Sequence, residues 1–384
     1  MKTLTFCGKS ITLLLLALIG LFNPILSTAQ KQRETIQSVI NDFQRQLEID
    51  VRDDNINGSI SAAILKDNKI IWSKAFGYTD SDNKIMADTS SIYRVGSITK
   101  SFTAFLMMEL VEEGKIKLND PIELYFPEIN KLEGYSDSTK ITFAQLASHT
   151  SGLIREPKLQ GADEGPIAEW ENKVIASLPM TSFASRPGES FNYSNIGYAI
   201  LGLALSRAAH EPYVELVEQK IFKPLNMNNT FFILPEKKRA FLAKGLDGGP
   251  LGKINTEVPL TEIDGRGYKV PNGGIFSTPN DLAKFIMCNM SYFPLLKSES
   301  INLMQAPKNP PNDHNDRYGF GVGLFQEAPF NIVEHAGGVS GYISKFSFDK
   351  DSHYGVVVMR NYMWGVTDIN LRTLFLLRKL KSLK

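Results

Sequence analysis

The stretch Arg94–Lys115, "RVGSITKSFTAFLMMELVEEGK", opens on a serine and a lysine one turn apart, Ser97 and Lys100, and runs on as an apolar segment to Gly114. Phe102 to Met108 are apolar nearly all round, the pattern of a helix buried on every side, and Gly114 reads as its stop. A helix that starts near Ser97 leaves backbone N–H groups unpaired at its head and carries partial positive charge there. Lys100, three residues on, falls on the same face as Ser97. An amine in apolar surroundings loses hydration, which disfavours its charged form. It can then take a proton from the Ser97 hydroxyl. A second reading stands beside this one: Ser97 as a helix cap, with the lysine stem running out to solvent. Ser-x-x-Lys occurs three times in the chain, at Ser81–Lys84, Ser97–Lys100 and Ser347–Lys350. The first lies in a polar turn and the third ends a strand pattern, so helix context singles out the middle one.

Outward from this segment, the pattern changes with position. "ETIQSVINDFQRQLEIDV", from Glu34, has helical spacing. "SISAAILKDNKIIWSKAFGYTD", Ser59–Asp80, reads as two strands joined at Asp67–Asn68. Helical patterns then dominate: "TFAQLASHTSGL", "NIGYAILGLALSRAAH" and "EPYVELVEQKIF". Strand patterns return late in "YGFGVGLFQ", "YISKFSFD" and "YGVVVMRN", before an amphipathic helix, "LRTLFLLRKLKSL". The fold class expected is therefore α+β: one antiparallel sheet built from both termini and flanked by helices, with an inserted, mostly helical domain. The boundaries expected are an α/β part over about 30–95 and 265–384 and a helical insertion over about 96–264. The Gly/Pro-rich stretch Gly245–Lys253 reads as a loop.

The chain has 384 residues, a formal net charge of +1 and 22% charged residues, so it lacks the basic stripe that nucleic-acid binding needs. At the N-terminus, Lys2 and Lys9 precede the apolar stretch Ile11–Phe22, and small residues follow around Ser27 and Ala29. This reads as a secretory signal over 1–29, too short for a comfortable membrane span. The expectation is an exported protein, touching membrane only if that segment is retained. The chain has 2 cysteines, Cys7 and Cys288. Removal of the signal leaves Cys288 alone, with no internal partner, in an apolar helical pattern that suits a buried thiol.

Several chemistries are excluded by spacing. "GGVSGY" puts Tyr342 where a nucleophile elbow needs glycine. "GFGVG" lacks the full dinucleotide-binding spacing. None of the five histidines has metalloprotease spacing, and there is no cysteine cluster. Two further features can carry chemistry. "RPGESFNYSNIGYAILG" holds Tyr193 and Asn195, two apart and so off a shared helix face, which suits a loop leading into the next helix. A phenol near an amine can relay protons and an amide can orient a substrate; an Asn cap beside a packed aromatic accounts for the same residues. "EHAGGVSGYISKFSFD" places His335, Gly337 and Gly338 before a strand, where glycine admits a close backbone approach and the Gly338 N–H can serve an oxyanion. His-x-Gly recurs at His353–Gly355, so this motif is weak alone.

Taken together, these residues resemble the serine β-lactamase-like family of class C β-lactamases, DD-carboxypeptidases and related esterases. That family uses Ser-x-x-Lys, then Tyr-x-Asn, then Lys-Thr-Gly or His-x-Gly, in this order. Here the three are Ser97–Lys100, Tyr193–Asn195 and His335–Gly337, and "LASHTSGL", "PGESFNYSNIGY", "PNGGIFSTPNDLAKF" and "YGFGVGL" are familiar as well. The resemblance spans roughly Ser59 to Asn361. It implies Ser97 as acyl-accepting nucleophile, Lys100 and Tyr193 sharing the proton work, and Asn195 positioning substrate. It implies an oxyanion hole from the N–H groups of Ser97 and Gly338, with His335 on the opposite wall. It implies no metal or organic cofactor, and a small-molecule or peptide substrate: peptidoglycan-like, an ester or a β-lactam. The departure is His335, where class C β-lactamases typically carry a lysine that can hold a carboxylate. Histidine does this less well, although its charge can change near neutral pH. The expected activity is therefore that of a peptidase or esterase, with a β-lactamase or a non-turning-over penicillin sensor as alternatives.

Overall fold

Strand β1 (Ser59–Lys66) is buried at every position but its last because both of its faces are covered. Ile60, Ala62 and Ile64 join one core, while Ala63 and Leu65 join another. The alternation follows from the two-residue period of a strand. This is a computed structural model, which describes residues 34–248, 254–311, 317–326 and 330–383. The expected signal segment and Cys7 lie outside the described residues, as does part of the Gly245–Lys253 stretch.

The other strands follow in chain order: β2 (Lys69–Asp80), β3 (Ile85–Met86), β4 (Tyr93–Arg94), β5 (Phe276–Ser277), β6 (Arg317–Tyr318), β7 (Gly323–Phe325), β8 (Ile332–Val339), β9 (Tyr342–Asp349) and β10 (Tyr354–Arg360). Eight of them form one sheet in the order β3-β2-β1-β10-β9-β8-β7-β6, and β4 pairs with β5 alone. The first and last parts of the chain meet where β1 pairs antiparallel with β10, Ile60 opposite Arg360 and Lys66 opposite Tyr354. Asp67, with φ 55°, turns the chain from β1 into β2.

Helices Ile36–Asp54 and Ile369–Ser382 cover one face of the sheet. Val39, Ile40, Phe43, Leu47, Leu377 and Leu380 pack there with Ile60, Ile64, Val356 and Val358. The other face, with Phe346, Phe348, Val357 and Met359, shares a larger core with the helices between β4 and β6. Cys288 is buried in the helix Pro279–Asn289 of that core, and burial pushes its thiol up to about 12.

His335, Gly337 and Gly338 precede the strand β9, as expected, but they also lie within a strand of their own, β8, which the sequence reading did not delimit. Glycines weaken the local strand signal, and the ladder with β9, from Ile332–Asp349 to Val339–Tyr342, supplies what propensity does not. Asn195 is not in a lead-in loop but is the first residue of helix Asn195–Ala209, whose cap is Ser194.

Candidate active site

The segment that opened the reading folds as a 3-10 turn, Gly96–Ile98, running directly into helix Thr99–Glu112. Ser97 sits on the turn, partly exposed, and is not a cap residue: the N-cap of the turn is Val95 and that of the following helix is Ile98. From Thr99 to Met108 the helix is buried without a break. Its hydroxyls are satisfied inside the core: Ser101 donates to the Gly321 carbonyl and Thr103 to that of Pro271, at 2.6 and 2.5 Å.

Lys100 is fully buried. Its Nζ donates to Ser97 Oγ at 3.1 Å and to the Asn272 carbonyl at 3.0 Å. The stem running to solvent is thereby ruled out. Burial drives the amine well below its ordinary range; the Glu156 carboxylate opposes this, and Arg155, Lys269 and Arg266 reinforce it. The lysine is therefore held toward its neutral, proton-accepting form.

Tyr193 lies against this pair. Lys100 Nζ is 4.8 Å from the centre of its ring. Burial raises the phenol to about 12, while the Ser97 hydroxyl beside it and the Arg155 charge pull the other way. It remains a phenol, a proton donor, across the working pH range. Behind it His149 is fully buried, its ring 4.1 Å from that of Tyr193. The Ser194 N–H donates to His149 Nδ1 at 3.0 Å, so Nε2 carries the proton of this neutral imidazole. Burial holds it well below the ordinary histidine range.

The opposite wall is β8. Because β7 pairs only with Ile332, Val333 and Glu334, the outer edge of β8 from His335 onward faces the cleft. His335 Nδ1 stands 2.7 Å from the Ala336 carbonyl, which can only accept, so that nitrogen carries the proton. Nε2 then accepts from the Tyr318 hydroxyl at 2.9 Å. Burial first, and the Lys100 charge second, take His335 down to about 3. The expectation that its charge changes near neutral pH is thus overturned: in a buried site with both nitrogens engaged, the imidazole stays neutral.

Two glycines let these walls meet. A side chain at Gly337 would meet the Val95 carbonyl oxygen at 1.8 Å, and one at Gly96, whose φ is +51°, would meet the Gly338 nitrogen at 2.9 Å. The backbone beside Ser97 is therefore pressed onto β8, which brings the Ser97 turn to the strand segment that holds Gly338. The resulting cleft, of about 450 Å³, is lined by Ser97, Tyr193, His335, Gly337 and Gly338, together with Arg155, Tyr318, Glu334 and Lys345 among others.

Two expected site residues are not on that lining: Lys100, which is fully buried against Ser97, and Asn195. The Asn195 amide donates to Glu156, whose other carboxylate oxygen accepts from Tyr268. Its backbone carbonyl receives the Asn272 amide at 2.7 Å, which fixes the residue that holds Lys100. Sequence reasoning missed Arg155, Glu156, Asn272, Tyr318, Glu334 and Lys345. A signal existed for two of them. Tyr318 lies in "YGFGVGL" and Asn272 in "PNGGIFSTPNDLAKF", and "LASHTSGL" likewise supplies His149.

Comparison with known proteins agrees with this fold. The Beta-lactamase family model matches residues 45–374. "Beta-lactamase-like protein 2" of Dictyostelium discoideum is 30% identical over 84% of this chain and 59% of its own length. "Protein flp" of Staphylococcus aureus (strain N315) is 26% identical over 84% of this chain and 64% of its own length. The chain thus spans about three fifths of the curated relatives it matches. Among solved structures, the octameric penicillin-binding protein homologue from Pyrococcus abyssi superposes with a TM-score of 0.75 at 25% identity, over 89% of this chain and 77% of that one. EstCE1, described as a hydrolase with promiscuous acyltransferase activity, shares the fold, with a TM-score of 0.77 at 20% identity over 89% of this chain and 99% of its own.

Proposed function

This chain belongs to the beta-lactamase family, and from that premise we propose that it is a serine hydrolase that opens an ester or amide bond through an acyl group carried on Ser97 Oγ. The observation that carries this reading is Lys100: a fully buried amine held 3.1 Å from a hydroxyl at the floor of a cleft. A buried lysine kept neutral costs stability, and a proton-accepting role explains why it is there.

In the proposed cycle, neutral Lys100 takes the Ser97 proton as Oγ attacks the substrate carbonyl carbon. The N–H groups of Ser97 and Gly338 receive the developing oxyanion. Collapse breaks the bond to the leaving group, which takes a proton delivered by the Lys100 ammonium through the Tyr193 hydroxyl. A water then attacks the acyl carbon, its proton passing to the same base. The second collapse frees the acid and returns the proton to Ser97. The division of labour follows from the two ionisations: an amine held neutral is the acceptor, and a phenol at about 12 is the donor that relays.

Within this chemistry, esterase or peptidase activity is favoured over efficient β-lactam hydrolysis. The β8 wall offers a neutral His335 where a lysine would hold a carboxylate. A fluorophosphonate probe tests the nucleophile: wild type is expected to label and Ser97→Ala not, and equal labelling of both sinks the assignment. A panel of D-Ala-D-Ala peptides, p-nitrophenyl esters and a chromogenic cephalosporin tests the subtype. Preference for the cephalosporin by orders of magnitude would reverse it.

A further inference from the structure

Among the described residues, the charged side chains on the cleft lining are Arg155, Glu334 and Lys345. They are not equivalent. Lys345, on β9, is buried, and its Nζ is 2.8 Å from Glu334 Oε1. That pair cancels its own charge and is held in place. Arg155 stands on the opposite wall, its side chain 67% exposed and its guanidinium over the Tyr193 ring, 5.0 Å from the centre. Its backbone is pinned, since its carbonyl receives the N–H groups of Asn195 and Ile196 at 2.9 and 3.3 Å. Its Nε is 4.0 Å from Glu156 Oε1, the limit of an ion pair, and Glu156 already holds Asn195 and Tyr268 and lies 3.5 Å from Lys269.

The cleft therefore presents one guanidinium, anchored at its base and open at its fork, beside the residue that would relay the proton. A planar fork of donors matches a carboxylate with two parallel hydrogen bonds. We propose that Arg155 is a specificity-determining residue that holds a carboxylate of the substrate, so that the preferred substrates are anionic esters or amides. This rests on the hydrolase reading above. It places the anion anchor on the Tyr193 side of the cleft and not on the β8 wall.

The test uses two matched pairs of esters on the full chain. p-Nitrophenyl hydrogen glutarate against p-nitrophenyl butyrate puts the carboxylate on the acyl side. An N-acyl-D-alanyl-D-lactate against its amide puts it on the leaving side. Wild type is expected to prefer the anion in at least one pair, and added salt should erode that preference because Arg155 is exposed. In Arg155→Ala, the anion-to-neutral ratio of kcat/KM should fall by about tenfold or more, the loss expected for a charge-assisted contact. Arg155→Lys should lie between, keeping charge without the fork. The double variant Glu334→Gln, Lys345→Met should keep the wild-type ratio. A ratio unmoved in Arg155→Ala, or lost in the double variant instead, overturns the assignment while leaving the hydrolase intact. A wild type that neither labels at Ser97 nor turns over any of the four esters overturns the hydrolase reading, and this inference falls with it.

Discussion

At the scale of single residues, the site is governed by desolvation. Lys100 is pushed down by burial first, and Tyr193 is pushed up by the same cause. The kcat/KM on a neutral ester should rise with pH along a limb set by Lys100, whose midpoint lies well below that of a free lysine. A limb at the free-lysine position would deny Lys100 the role of base. Lys100→Met should lower the acylation rate by about a thousandfold, within the range for loss of a general base together with its nucleophile's activation. The same variant should raise Tm at neutral pH, because the native lysine has to shed its proton to be buried. His335 gives a second linkage. Its folded value of about 3 lies below the ordinary 6.5. Above the ordinary value both folded and unfolded chains hold it neutral. As pH falls from there toward the folded value, the unfolded chain takes the proton and the native chain does not. Stability is therefore lost by up to about 1.4 kcal/mol per pH unit over that interval. His335→Gln should flatten the fall in Tm between pH 7 and pH 5, leaving the part that buried His149 contributes in the same direction; an unchanged slope would show that His335 is not held neutral.

At the scale of elements, the site depends on how closely the Gly96–Ile98 turn and β8 approach. Gly337 and Gly338 are neighbours with opposite demands. A methyl at Gly337 would overlap the Val95 carbonyl, whereas one at Gly338 meets nothing within 4 Å. Gly337→Ala should cost several kcal/mol or rearrange the strand, since backbone sits in the way and cannot yield cheaply. Gly338→Ala should fold with a Tm close to wild type. Comparable thermal melts for the two variants would mean that the turn and strand are not in this contact. The Thr99–Glu112 helix belongs to the same assembly, for its buried hydroxyls bond carbonyls on either side of the site and so fix the depth of Lys100.

At the scale of the molecule, the sheet separates two cores with different duties. One carries the helices that form the cleft, and the other is sealed by the first and last helices. Leu377, fully buried in the second core, is on the face away from that cluster. Leu377→Ala should destabilise by about 2–5 kcal/mol through the cavity it leaves. Its esterase activity per folded molecule, measured well below the lowered Tm, should match wild type. A loss of kcat/KM without loss of stability would show that the two cores are coupled.

Much of this was legible in the sequence. Hydrophobic periodicity alone placed the hairpin at Asp67, the buried helix behind Ser97 and the late strands, because burial on one or two faces writes itself into local order. The order of three polar motifs pointed to Ser97, Lys100, Tyr193 and His335. What the sequence left out are contacts between segments far apart. The Asn272 carbonyl that holds Lys100 lies 172 residues away. The Glu334–Lys345 pair depends on the β8–β9 register, and Arg155 reaches the cleft because its carbonyl caps the start of the helix at Asn195. Ionisation, too, was decided only by the fold. A histidine reads from sequence as a titratable switch, yet burial and two occupied nitrogens make His335 a fixed neutral wall, and local patterning carries no record of either.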